Sequence, residues 1–162
     1  MGKHYILHVL SDHGKTDLAY RLLFNEGNPS WLYSINHGAT TIREHWNGIK
    51  EDGNFWSSEM NSFNHYAYGA VGNWLYTVAA GIKATAPAYQ SVTLAPMPDR
   101  RLGHVDCRLD TRLGRLESHW YYKKNEIYFE FLIPAGVDAK IILPNGTTYN
   151  LRGGTYHFVV KE

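Results

Sequence analysis

Cysteine is almost absent: Cys107 is the only one in 162 residues. One thiol excludes an internal disulfide and every cysteine-rich metal site. With no special neighbours in the sequence, it fits a buried structural thiol. No stretch reaches the roughly 18 apolar residues of a membrane span. Excess charge of one sign is missing as well. The 16 Lys+Arg and 15 Asp+Glu leave a net charge of +1, whereas nucleic-acid binding demands a concentrated basic patch. The nearest basic run, Arg100-Arg101 with Arg108, Arg112 and Arg115, is interleaved with Asp99, Asp106 and Asp110 and reads as a solvated surface. The first residues, Met1-Gly2-Lys3-His4-Tyr5, lack a signal peptide's apolar run and read as a start inside a longer gene. Composition therefore leaves the compartment open.

What is plentiful is aromatic: 5 Trp, 12 Tyr and 6 Phe make up 14% of the chain. Such rings fill cores, and they are also faces on which sugars stack. Hydrophobic residues at 44% and charged ones at 19% describe an ordinary globular chain, long enough for one domain or two small ones.

The two halves carry different periods. Up to about residue 86 apolar residues recur at helical spacing. Residues 5–10 read as a helix end, broken at Ser11-Asp12-His13-Gly14. Thr16 is placed as N-cap of a second helix, which Asn25-Glu26-Gly27-Asn28 and Pro29 end. Ser30 caps a third, which stops at Gly38. Residues 39–61 hold no sustained period, and a long polar loop between helices suggests a task. After Ser62 the positions Phe63, Tyr66, Ala70, Val71, Trp74, Leu75, Val78 and Ile82 predict the longest helix, with His65 in its first turn. Gly69 and Gly72 inside it imply that another backbone packs close there. From Pro87 on the period is two. Residues 91–94, 116–122, 127–133, 140–143, 149–151 and 156–160 read as strands, and Asn145-Gly146 as a type I′ hairpin turn. The expectation is a mixed α and β chain: helical hairpins over residues 1–86, then an antiparallel β-sandwich over 87–162.

Chemistry concentrates in residues 40–66. Glu44 lies in a strand-like turn, flanked by His45 and Trp46, and His65 follows about twenty residues later. A carboxylate can activate water, an imidazole can hydrogen-bond hydroxyls, and an indole can cover the apolar face of a sugar. Plainer roles fit the same residues, a solvated Glu and a capping or packing His. His4 and His8 share a helix face with His13 nearby, but no third ligand follows at fixed spacing, so neither metal nor other cofactor is expected.

The strings Gly38-Ala39-Thr40-Thr41-Ile42-Arg43-Glu44-His45-Trp46-Asn47-Gly48 and Met60-Asn61-Ser62-Phe63-Asn64-His65-Tyr66-Ala67-Tyr68-Gly69-Ala70-Val71-Gly72-Asn73-Trp74-Leu75 closely resemble bacterial α-L-rhamnosidases. Pro29-Ser30-Trp31-Leu32-Tyr33 fits too, as do Ile133-Pro134 and Leu143-Pro144 at strand ends. The likeness runs through nearly the whole chain but matches only the last part of a much longer enzyme. It implies the final hairpins of a six-hairpin α/α toroid followed by the C-terminal β-sandwich. It implies a glycoside hydrolase that releases terminal α-L-rhamnose with inversion, through one carboxylic acid and one carboxylate that activates water.

By the same resemblance Glu44 is the general base, His65 contacts rhamnose and Trp46 walls the pocket. Two departures stand out. The family usually has Trp before the base and Arg after it, where this chain has Arg43 and His45. The general acid lies upstream in the family, so the isolated chain is expected to be inactive without the N-terminal part of the same protein. The other expected partner is a rhamnose-containing glycoside, with no nucleic acid or membrane. An apolar face around Trp31, Phe63 and Trp74 is expected to lack its usual neighbours, which would favour self-association. The alternative is a carbohydrate-binding or purely structural β module, with Trp120-Tyr121-Tyr122, Tyr128 and Tyr149 as a stacking platform.

Overall fold

A computed structural model describes residues 5–59 and 61–162. Two compact units divide the chain, residues 1–74 and 75–162. No helix among the described residues is long and apolar enough to cross a membrane.

Among its described residues the first unit holds four short helices: α1 (Ile6–Asp12), α2 (Thr16–Leu23), α3 (Trp31–Asn36) and α4 (Ala70–Trp74). Ser30 caps α3 as its sequence suggests, its Oγ accepting from the Tyr33 N–H at 2.9 Å. Gly38 follows in the left-handed region at φ 76°, the conformation that ends helices most often at glycine. The cap of α2 differs from expectation. Thr16 is already helical, and Lys15 occupies the N-cap without a side-chain bond.

The core of this unit is Trp74, fully buried. Its indole N–H donates to the Leu7 carbonyl at 3.1 Å and to Ser11 Oγ at 3.0 Å. Its ring meets Tyr20 edge-on, with centroids 4.9 Å apart. Of the apolar face expected around Trp31, Phe63 and Trp74, the Trp74 part is corrected. Trp74 is covered by α1 and α2, and Trp31 and Phe63 are half-buried.

The largest correction concerns residues 62–69, where a helix is expected and none forms before Ala70. Backbone groups that a helix would need are engaged elsewhere. The Ser62 carbonyl accepts the Glu44 N–H at 2.9 Å, and the His65 N–H donates to the Ile42 carbonyl at 2.8 Å. His65 thus stands outside any helical first turn. Gly69 sits in a turn where a Cβ would meet the Tyr66 carbonyl oxygen at 2.9 Å, while nothing lies within 4 Å of a Cβ at Gly72. Only Gly69 answers to close backbone approach, and that approach is local.

The second unit begins with a π-helical turn, Leu75–Ala79, and continues into strands β1 (Ile82–Ala84), β2 (Ser91–Leu94), β3 (His104–Thr111), β4 (Gly114–Lys123), β5 (Glu126–Ile133), β6 (Asp138–Ile142), β7 (Thr148–Leu151) and β8 (Gly154–Lys161). They form two four-stranded sheets, ordered β1-β2-β6-β7 and β3-β4-β5-β8. Pairing is antiparallel except between β2 and β6. Ile82, read with the preceding helix in the sequence, opens β1 and pairs with Leu94.

One hydrophobic cluster draws on both sheets, including Val92, Leu94 and Ile141 from the first and Leu116, Phe129 and Phe131 from the second. Alternation puts Leu116, Ser118 and Trp120 of β4 inward together. Ser118 is tolerated there because its hydroxyl donates to the Ala80 carbonyl at 2.6 Å, and Trp120 Nε1 donates to Ala79 O at 2.8 Å. Cys107 is buried in this core, and that burial raises its thiol above the usual range. The turn at Asn145-Gly146 is not type I′. Gly146 has φ 85° while Asn145 is not left-handed. The Gly146 N–H donates back to Leu143 O at 2.9 Å, with Pro144 at the second position, where its fixed negative φ suits a type I turn.

Candidate active site in the first unit

Segment 41–46 follows α3 and is held to it. Ser34 Oγ donates to the Trp46 carbonyl at 2.7 Å. On its other side it runs against residues 61–65. The Thr41 hydroxyl donates to Phe63 O, Glu44 N–H to Ser62 O and His65 N–H to Ile42 O. These bonds bring two of the sequence-predicted residues, Glu44 and His65, onto one backbone joint. Glu44 is half-buried. Its Oε2 accepts the Ser62 N–H at 3.4 Å. Among the described residues Oε1 accepts no hydrogen bond and the carboxylate has no ion-pair partner.

His65 is half-buried, and its Nδ1 accepts the Ala67 N–H at 3.3 Å. A neutral ring with Nδ1 as acceptor carries its proton on Nε2, ready to donate. Trp46, the third predicted residue, packs in an aromatic cluster. It stacks on Tyr68 at 3.9 Å and 22° and meets Trp31 edge-on at 5.0 Å. Trp31 is fixed in turn by donating Nε1–H to the Tyr68 carbonyl at 3.0 Å. A cavity of about 40 Å³ lies along this cluster, lined by Trp31, Trp46, Tyr68 and Arg43 among others.

Residues 48–56 of the intervening polar loop are tied by backbone hydrogen bonds. Trp56 N–H donates to Gly48 O at 3.1 Å and Lys50 N–H to Asn54 O at 2.8 Å, closing a tight loop around Gly53. The loop lays Trp56 flat on His45, with centroids 3.8 Å apart at 18°. Sequence reasoning missed Ser62, Tyr68 and Trp31 as parts of the site. All three lie in the quoted family strings, but only backbone pairing shows what they touch.

Arg43, directly before Glu44, is 5% exposed, and its Nη2 reaches only the His37 carbonyl, at 3.5 Å. Among the described residues no group of three or more His, Cys, Asp or Glu side chains could hold a metal ion. His4, part of the histidine pattern weighed above, lies outside the described residues. In the second unit, Trp120 is buried. Tyr121 and Tyr128 stack with centroids 5.2 Å apart at 7°, covering each other's faces.

Residues 1–79 match the model of the bacterial α-L-rhamnosidase six-hairpin glycosidase domain, and residues 81–158 match that of the bacterial α-L-rhamnosidase C-terminal domain. An α-L-rhamnosidase of Formosa agariphila is 39% identical over 98% of this chain, and one of Streptomyces avermitilis is 38% identical over 89%. The chain spans 17% and 14% of their lengths. The crystal structure of a Streptomyces avermitilis α-L-rhamnosidase complexed with L-rhamnose matches 99% of the chain with a TM-score of 0.93 and 33% identity, the chain covering 17% of it. The native enzyme of Aspergillus terreus matches 98% with a TM-score of 0.94 and 28% identity, the chain covering 19% of it. The chain belongs to the bacterial α-L-rhamnosidase family, with one segment in its six-hairpin glycosidase domain and the other in its C-terminal domain.

Proposed function

We propose that this chain supplies the general-base half of an α-L-rhamnosidase active site, in a longer enzyme that releases terminal α-L-rhamnose with inversion. The observation that carries the reading is the state of Glu44. One carboxylate oxygen accepts the Ser62 N–H at 3.4 Å, and the other accepts no hydrogen bond among the described residues. A carboxylate held in this way can take a proton from a water while keeping its orientation. In inverting hydrolysis that water attacks the face of the sugar opposite the leaving group, and a separate carboxylic acid protonates the departing oxygen. The acid belongs to the remainder of the longer protein.

His65 donates from Nε2 to a rhamnose hydroxyl, and Trp46, braced by Trp31 and Tyr68, walls the pocket. Stacked aromatics of this kind hold their orientation at little entropic cost. The family match supports the glycoside-hydrolase class. Support for the sugar comes from the relative crystallised with L-rhamnose.

Two measurements test the reading together. Proton NMR of the first turnovers of the longer enzyme on an aryl α-L-rhamnoside should show the β anomer appearing first. The isolated 162-residue chain should give no measurable hydrolysis. First release of the α anomer would remove inversion, and robust turnover by the isolated chain would remove the claim that it holds half a site.

A further inference from the structure

Two buried polar atoms flank the Glu44–Ser62 joint without hydrogen-bond partners: Arg43 Nη1 and Asn61 Oδ1. They belong to the residues immediately before Glu44 and immediately before Ser62. One is an obligate donor and the other an acceptor. A buried guanidinium nitrogen and a buried amide oxygen each cost free energy when left unpaired, the charged group most.

The two side chains also converge on one place. A Cβ built on Gly48 would lie 3.2 Å from Asn61 Oδ1 and 3.3 Å from Arg43 Cδ. The Asn61 amide nitrogen is already fixed, donating to Gly48 O at 2.6 Å. That bond sets the direction of the amide and leaves its oxygen as the free end. On the arginine side the contacts are weak, the 3.5 Å approach to His37 O and the Phe63 ring at 5.8 Å from the guanidinium carbon. Gly48 fits this convergence, because a side chain there would crowd both groups.

We propose that one water bridges Arg43 Nη1 and Asn61 Oδ1, and that both are positioning residues for Glu44. The pair adds a side-chain tie to the backbone bonds between segments 41–46 and 61–65. It thereby fixes the Ser62 N–H against which the carboxylate is held. The positioning role rests on the reading of Glu44 as general base, and the pairing itself does not. Neither Arg43 nor Asn61 touches substrate in this account. Their effect on rate passes through the placement of Glu44, where a displacement of about 1 Å costs roughly a hundredfold.

The test is a double-mutant cycle in the full-length enzyme, together with a high-resolution crystal structure of it. Arg43→Met and Asn61→Leu should each lower kcat by about 10- to 100-fold with KM nearly unchanged. The double variant should be no worse than the poorer single one, as expected when both changes break one interaction. Asn61→Asp keeps an acceptor facing the guanidinium but loses the donor to Gly48 O, so its rate should lie between those of the parent and Asn61→Leu. The crystal structure should show one water bonded to both Arg43 Nη1 and Asn61 Oδ1.

Normal kcat in Asn61→Leu would overturn the positioning role, and losses that multiply in the double variant would overturn the pairing. An Arg43 Nη1 bonded to some other acceptor would overturn the pairing. Should Arg43→Met fail to fold, the two Asn61 variants carry the cycle's kinetic arm. Glu44→Gln in the same enzyme separates the two claims. If it is inactive while Asn61→Leu is normal, the positioning role falls and the base reading stands. If it is fully active, the base reading falls and the crystal structure still decides the pairing.

Discussion

Glu44 and Ser62 hold each other through two hydrogen bonds: the Glu44 N–H donates to the Ser62 carbonyl at 2.9 Å, and the Ser62 N–H donates to Glu44 Oε2 at 3.4 Å. Backbone and side chain of the same glutamate are thus fixed by one residue eighteen positions away. A carboxylate in an ordinary surface loop has no such restraint. The bonds also explain why the chain is not helical at Ser62, since its carbonyl is already engaged.

Ser62→Pro removes the N–H that orients Glu44 Oε2, and proline has no donor to replace it. In the longer enzyme kcat should fall by about a hundredfold, with a smaller change in KM. Steady-state kinetics on an aryl rhamnoside would read this. A large rise in KM with normal kcat would assign Ser62 to substrate binding instead.

Trp120→Phe should destabilise the C-terminal unit. Trp120 is 1% exposed, and its Nε1–H is the donor to Ala79 O. Phenylalanine fills most of the volume but leaves that buried carbonyl without the donor, at about 1–3 kcal/mol. A denaturant melt followed by far-UV circular dichroism should show a lower midpoint with an unchanged slope.

Gly81→Ala should be more damaging. Gly81 has φ 75°, and a Cβ there would lie 2.1 Å from Pro96 N and 2.2 Å from Ala95 C. Both neighbours are backbone, so no side chain can swing aside. Loss of stability should exceed the roughly 1 kcal/mol of an ordinary glycine effect, or the variant should fail to accumulate as folded protein.

Asp99 supplies a pH-dependent contribution. Its side-chain hydrogen bonds to Arg101, Nε to Oδ1 at 2.7 Å and Nη2 to Oδ2 at 2.5 Å, hold its carboxyl below the ordinary carboxylate range. A depressed folded-state pKa gives stability that is present above the unfolded value and lost as pH falls through the folded one. Thermal melts of the parent and of Asp99→Asn should differ at neutral pH and converge in acid, below the usual range for aspartate. A difference that persists unchanged into strong acid would remove this role.

Strand β5 is plain in the sequence because Ile127, Phe129, Phe131 and Ile133 alternate into the core. Strand β3 is hidden by its own outer face. Val105, Cys107 and Leu109 alternate with Asp106, Arg108 and Asp110, and those charges pair across the strand surface, Arg115 with Asp110 and His119 with Asp106. Read as composition, such a segment is a solvated charge run. Residues 63–70 mislead in the opposite way. Phe63, Tyr66 and Ala70 keep helical spacing, but the carbonyls of Ser62 and Phe63 and the His65 N–H are engaged by segment 41–44.

The site divides along the same line. Glu44, His65 and Trp46 stand out because their residue types fit the chemistry and their strings fit the family. Ser62, Asn61 and the buried guanidinium of Arg43 do not, since their parts depend on the pairing of distant backbone segments, which carries no local signature.

Glu44→Gln in the full-length enzyme tests the central claim most directly. Glutamine keeps the size of the side chain and an oxygen for the Ser62 N–H, but it cannot take a proton from water. The account predicts that kcat on an aryl α-L-rhamnoside falls by about a thousandfold or more, toward the upper end of what a general base contributes. Melting temperature and rhamnose binding should stay near those of the parent. Near-normal turnover would contradict the assignment of Glu44 as the base.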